Sequence, residues 1–108
     1  MELRHLRYFV AVAEAGSLTV AAEQTLHTSQ PSLSRQIRDL EGEVGAQLLT
    51  RRARGIELTP AGRAFLEHAR AVLAQIETAT AAARLKANDT AKSAKSEIWL
   101  GDLDSNQD

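Results

Sequence analysis

Between Leu18 and Glu41 the chain carries two helical patterns with only Leu26-His27-Thr28 left to join them. So short a link has room for a tight turn and nothing more, and it constrains the fold more than any other feature. Before it, Leu18, Ala21, Ala22 and Leu26 share one face of a helix expected from Leu18 to about Thr25. Paired alanines suit a place where two helices approach closely. After it, Ser29 is an N-cap candidate and Pro31 a first-turn residue, because an N–H there has no intrahelical partner. This helix is expected to run to about Glu41 and to stop near Gly42 and Gly45. Leu33, Ile37 and Leu40 fall on its inner side, while Pro31, Arg35 and Arg38 fall on the opposite side, flanked by Ser32 and Ser34. An outer face of short polar residues and arginines suits docking on something anionic and grooved.

The surrounding pattern completes a small mainly helical domain. Leu3 to Ala15 reads as a helix, with Leu6, Phe9, Val10, Val12 and Ala13 in its apolar stripe, ended by Gly16. Ser17 is the N-cap candidate for the next helix. Gln47 to Arg51 and Ile56 to Thr59 read as two short strands around Arg52-Ala53-Arg54-Gly55, a hairpin with arginines at its tip. Thr59 and Pro60 then open a long helix expected to reach about Lys86. Phe65, Ala69, Val72, Ile76, Ala79 and Ala83 repeat along it at four- and three-residue steps, with Leu66, Leu73 and Thr80 beside them. This heptad seam suits self-association, because the helix outruns what a domain of residues 1–59 needs; packing onto its own domain is the competing use. From residue 88 to 108 the pattern dissolves into a polar, linker-like tail that ends in Glu97-Ile98-Trp99-Leu100-Gly101, a strand with nothing to cover it.

Composition excludes several classes of protein. There are no cysteines, so disulfide frameworks and cysteine zinc sites are ruled out. No apolar run is long enough to span a membrane, and the N-terminus lacks the layout of a secretion signal, which reads as a cytoplasmic, nucleoid-associated protein with no membrane partner. The net charge of −1 speaks for no anionic partner by itself. Its distribution does: Arg35, Arg38, Arg51, Arg52 and Arg54 face only Asp39, Glu41 and Glu43 in the same stretch, and the last three arginines have no acid among them. His5, His27 and His68 are not spaced as metal ligands, and no serine stands in a nucleophile–base arrangement. The expectation is a non-enzyme without metal or cofactor.

These blocks resemble the LysR-type transcriptional regulators over residues 1 to about 87. The resemblance is carried by Leu3-Arg4-His5-Leu6-Arg7-Tyr8-Phe9, by Gly16-Ser17-Leu18-Thr19-Val20-Ala21-Ala22, and by the unbroken run from Leu26 to Ile37. Leu40-Glu41, Gly45, Leu48-Leu49-Thr50-Arg51 and Leu58-Thr59-Pro60-Ala61-Gly62 complete it. It implies a winged helix-turn-helix with Ser29–Glu41 as recognition helix, in which Gln30, Pro31, Ser34 and Arg35 meet DNA, together with a hairpin wing. Arg51 and Arg54 match that wing, the tip arginine entering the minor groove. The helix from Pro60 matches a linker helix that pairs two subunits. The chain departs from the family in two places. Glu23, Gln24 and Thr25 stand between the alanine pair and Leu26, where two residues are commoner. The family also continues into an effector-binding domain, whereas Ser96–Gly101 resembles only its first strand. No small-molecule inducer is therefore expected on this chain.

The expected partner is double-stranded DNA, bound by a homodimer at an interrupted inverted repeat. Gln30 is placed to offer its amide to a base edge, and Arg35 to reach guanine or a phosphate, or else to pair with Asp39. Ser34 suits a phosphate, with plain solvent exposure as its alternative; Ser32 and Arg38 share that face. Arg54, beside Gly55, suits a narrow minor groove, with Arg51 and Arg52 on phosphates or simply solvated. A rival reading is a truncated regulator that pairs with a full-length relative and does not bind DNA productively.

Overall fold

Leu6, Phe9 and Val12 recur every three residues, and α1 (Leu3–Ala15) buries all three. The computed structural model describes residues 1–93, with side chains through residue 89. α1 begins with a cap that the sequence did not announce: the Glu2 N–H donates to His5 Nδ1 at 2.9 Å, so His5 does more than occupy a helix position. It ends at Gly16, which takes the left-handed conformation at φ 70°.

α2 (Leu18–Val20) starts on Ser17, whose hydroxyl accepts the Val20 N–H at 3.2 Å. The expected regular helix to Thr25 is then overturned, because Ala21–Leu26 is a π-helix. The physical reason lies in the surplus residue. Ala21 and Ala22 are fully buried and Leu26 packs against the same core, so both ends of the interval are held. Three exposed residues, Glu23, Gln24 and Thr25, must fit between them, and widening the turn from i→i+4 to i→i+5 absorbs the excess. His27 closes the segment in the left-handed region at φ 52°, and the Thr28 N–H reaches back to the Ala22 carbonyl at 3.0 Å.

α3 (Gln30–Val44) is capped as its sequence suggests, with the Ser32 N–H donating to Ser29 Oγ at 3.2 Å. It passes through Gly42 without stopping and ends at Gly45, φ 84°. β1 (Leu49–Arg52) and β2 (Gly55–Leu58) pair antiparallel, Leu49 opposite Leu58 and Arg52 opposite Gly55, with Ala53-Arg54 as the turn. β1 begins two residues later than expected. Gln47 C=O accepts the Thr59 hydroxyl at 2.6 Å, and Leu48 N–H donates to Glu41 at 2.8 Å.

α4 (Pro60–Ser93) is opened by Thr59, whose Oγ1 accepts the Gly62 N–H at 2.9 Å. Gly62 sits so close to the Leu48 carbonyl that no Cβ fits there. The helix continues to Ser93, past the expected end near Lys86, so residues 88–93 are helical and not linker. The remainder of the expected tail, including Trp99 and the strand around it, lies outside the described residues. Met1–Ala74 forms one compact unit, and α4 from Gln75 onward belongs to another.

The core of the first unit joins Phe9, Val12, Leu18, Ala21, Ala22, Leu33, Ile37, Leu40, Leu48, Leu49 and Leu66. Three members of the expected dimer seam are used here instead. Leu66 is in this core, Ala69 is 3% exposed, and Phe65 is half-buried with its ring edge-on to Phe9, centroids 5.4 Å apart. Intramolecular packing and self-association demand the same apolar spacing, so spacing alone does not divide the seam. Val72 remains 42% exposed, Leu73 and Ile76 are half-buried, and Ala79 and Ala83 are exposed.

Candidate nucleic-acid interface

α3 buries Leu33, Ile37 and Leu40, which fixes what its other side presents: Pro31, Arg35 and Arg38 are exposed and Gln30 half-exposed. Arg35 makes no ion pair with Asp39, and among the described residues the side chains of Gln30, Arg35, Arg38 and Arg54 have no hydrogen-bond partner. Ser32 is half-buried and accepts Gln36 Nε2 at 3.3 Å. Gln36 Oε1, beside it, is buried without a partner.

Ser34 departs from expectation. It is 6% exposed, neither on the outer face nor free for solvent, and its Oγ accepts Arg51 Nη1 at 2.8 Å. A helix position can border the inner stripe or the outer face, and here the hairpin covers it. Burial lowers the basicity of the Arg51 guanidinium, with the like charge of Arg38 adding to this and Glu41 opposing it.

The hairpin is held to the helices at three points. The Ile56 N–H donates to the Gly16 carbonyl at 3.0 Å, and Gly55, φ 135°, lies so near that carbonyl that a Cβ would collide with it. Ser34 and Arg51 make the second link. Glu41 makes the third, its Oε2 accepting the Leu48 and Leu49 N–H groups at 2.8 and 3.0 Å. Glu41 and Gly62 were missed as positioning residues by reading the sequence. Both act on backbone groups, which leave no trace in hydrophobic periodicity.

At the hairpin tip Arg54 is exposed, while Arg52 pairs with Glu57 across the strands, Nη2 to Oε1 at 2.6 Å. An open groove of about 350 Å³ lies between the wing and the start of the helices, lined by Ser17, Thr19, Gln30, Arg51, Arg52 and Arg54 among others. It brings Gln30 from the start of α3 and all three wing arginines to one surface. Among the described residues, no group of three or more His, Asp or Glu side chains could hold a metal ion, and no helix is long and apolar enough to cross a membrane.

The comparisons with known proteins agree with this geometry. Residues 3–63 match the model of the bacterial regulatory helix-turn-helix protein, lysR family. The chain is 63% identical over 84 residues to the Hca operon transcriptional activator HcaR of Escherichia coli (strain K12), covering 78% of this chain and 28% of that protein. It is 57% identical over 77 residues to the HTH-type transcriptional regulator TfdT of Cupriavidus pinatubonensis (strain JMP 134 / LMG 1197), covering 71% of this chain and 33% of the relative. The chain therefore spans about a third or less of the length of these relatives. Among solved structures, the CbnR_DBD–DNA complex aligns with TM-score 0.77 and 50% identity, covering 81% of this chain and 99% of that one. The BenM_DBD/catB site 1 DNA complex aligns with TM-score 0.76 and 47% identity, covering 81% and 97%. The fold is thus a winged helix-turn-helix followed by a long helix, and the chain belongs to the LysR family of bacterial regulatory helix-turn-helix proteins.

Proposed function

We propose that this chain is the DNA-binding portion of a transcriptional regulator, reading an interrupted inverted repeat as a dimer. The observation that carries the proposal is the surface shared by α3 and the wing. Gln30 and Arg54 have polar groups without partners there, as Arg35 and Arg38 have on the exposed side of α3, and an exposed guanidinium that finds no acid in its own fold is available to a phosphate or base. In this reading α3 enters the major groove. Gln30 and Arg35 meet base edges, while Pro31 and Ser32 lie against the strand and Arg38, Arg51 and Arg52 contact phosphates. Arg54 enters the adjoining minor groove, where a narrow A/T-rich stretch concentrates negative potential. That two similar structures contain DNA supports the same partner here.

Self-association completes the reading. The apolar residues of α4 left open, Val72, Leu73, Ile76, Ala79 and Ala83, would meet their equivalents on a second copy and set two recognition helices on half-sites about one or two helical turns apart. No catalytic step is assigned.

The test is selection of bound duplexes from a random library, followed by mobility-shift titration at several salt concentrations. The expected outcome is an interrupted inverted repeat whose log affinity falls linearly with log salt, by about 0.9 per phosphate contacted. Selection of no preferred sequence would sink the proposal. Light scattering with and without the duplex separates it from heterodimer formation without productive DNA binding: the wild-type chain should be a dimer in both and carry the duplex.

A further inference from the structure

We propose that Thr59 is a positioning residue for DNA binding: beyond capping α4, its hydroxyl holds the root of the wing and so aims Arg54 at the minor groove. This rests on the DNA-binding reading above, and it adds a role to a residue that the sequence marks only as a helix cap.

A threonine hydroxyl has one proton to donate and lone pairs to accept with, and Thr59 uses both. Its Oγ1 accepts the Gly62 N–H at 2.9 Å, which is the cap. It also donates to the Gln47 carbonyl at 2.6 Å, across a separation of 12 residues. A cap needs only an acceptor, so the second bond is surplus to the helix. It falls on the segment that leads into β1, and around that segment the bonds divide by type. Glu41, from α3, takes the N–H groups of Leu48 and Leu49 at 2.8 and 3.0 Å. Thr59 takes the carbonyls, Gln47 through its hydroxyl and Leu48 through its own N–H at 3.0 Å. The Leu48 carbonyl also stands where a Cβ on Gly62 would go, so the first turn of α4 lies directly on the root. The wing is thus gripped at its base by α3 on the N–H side and by the start of α4 on the carbonyl side.

A two-stranded hairpin is marginal on its own, so its tethers set its direction. Releasing the Gln47 carbonyl leaves the base held from α3 and lets it tilt away from α4. Arg54, exposed in the turn at the far end, moves with it. A recognition group works only when held to within roughly 0.5 Å, and a narrow groove tolerates little misalignment. Loss of the hydroxyl bond therefore blunts readout by the wing while the contacts of α3 persist.

The experiment compares Thr59→Ser, Thr59→Asp and Thr59→Val in the whole chain by fluorescence anisotropy on three duplexes. These are the library-selected duplex, one with G·C in place of the A/T pairs beside each half-site, and one with base pairs changed under α3. Thr59→Ser keeps donor and acceptor, Thr59→Asp keeps the cap without a proton to donate, and Thr59→Val loses both. Discrimination at the A/T pairs is expected to persist in Thr59→Ser and to fall about three- to tenfold in Thr59→Asp and Thr59→Val. Discrimination at the bases under α3 should stay within about twofold throughout. The charge that Thr59→Asp adds acts on every duplex alike and cancels in these ratios. In an Arg54→Ala background, Thr59→Asp should leave the A/T ratio unchanged. Wild-type discrimination by Thr59→Asp would overturn the proposal, since a cap alone then accounts for Thr59; equal losses at both sets of base pairs would overturn it as well. Circular dichroism melting checks folding, and if Thr59→Val does not fold, Thr59→Asp with its cap intact carries the test.

A second readout needs no DNA. Nitrogen relaxation by NMR on the free chain should show greater backbone motion at Arg54 and Gly55 in Thr59→Asp than in wild type or Thr59→Ser; equal motion overturns the positioning role. A selected duplex without A/T preference beside its half-sites, or one whose preference survives Arg54→Ala, defeats the minor-groove reading and the aim of the wing with it. A preference lost in Arg54→Ala but kept in Thr59→Asp defeats only the role of Thr59.

Discussion

At Gly55 two independent constraints meet, a φ of 135° and the Gly16 carbonyl standing where a Cβ would go. Gly55→Ala is expected to cost about 2–4 kcal/mol in urea denaturation, well above an ordinary surface change. His27 is the opposite case, a side chain in a left-handed position at φ 52°. His27→Gly removes that strain but loosens the unfolded chain, so the net gain should stay below about 1 kcal/mol, whereas His27→Val should cost about 1–2 kcal/mol. Glu57 engages an arginine assigned to phosphate. Because that pair is exposed and worth about 1 kcal/mol at most, Glu57→Gln should tighten DNA binding by up to about fivefold in a low-salt titration, with the gain fading as salt rises. At this scale the candidate site was largely legible. That Gln30, Arg35, Arg38 and Arg54 reach the surface could be read from the helical wheel and the turn. Ser34 could not, since its surroundings come from a hairpin distant in sequence.

Among the elements, the π-helical stretch Ala21–Leu26 shows how local numbering yields to packing. Deleting Gln24 removes the surplus residue without touching the buried alanines. The expected outcome is an ordinary α-helix, with thermal stability unchanged or higher by about 1 kcal/mol at most and DNA affinity retained; a loss above about 2 kcal/mol would show that the wide turn is required. The hairpin depends on the helices in a similar way. Glu41 satisfies two N–H groups at the root of β1, so Glu41→Ala should cost about 1–3 kcal/mol, with Glu41→Gln milder because an acceptor remains. The caps at Ser17, Ser29 and Thr59 were readable in advance, because a cap acts within three residues of itself. The π turn was not: the extra residue was visible, but its conformation depended on which ends of the interval the core held.

For the whole molecule the long helix divides its apolar residues between the core of its own domain and the open surface beyond it. Phe65, Leu66 and Ala69 are spent on the core of their own domain, so the association surface proposed for α4 starts near Val72. Ile76→Glu should convert the chain to a monomer in sedimentation analysis and reduce affinity for a two-half-site duplex toward that for a single half-site, while leaving the single half-site affinity unchanged. The sequence by itself determined the order of helices and strands, the three caps, the glycine stops at Gly16 and Gly45, and the basic face of α3. Each depends on neighbours a few residues away. Only the tertiary structure decided that the second helix widens, that Ser34 is covered, that Glu41 ties the wing to α3, and where the apolar seam of α4 passes from core to open surface. Those outcomes depend on distant segments competing for the same space and the same backbone hydrogen bonds.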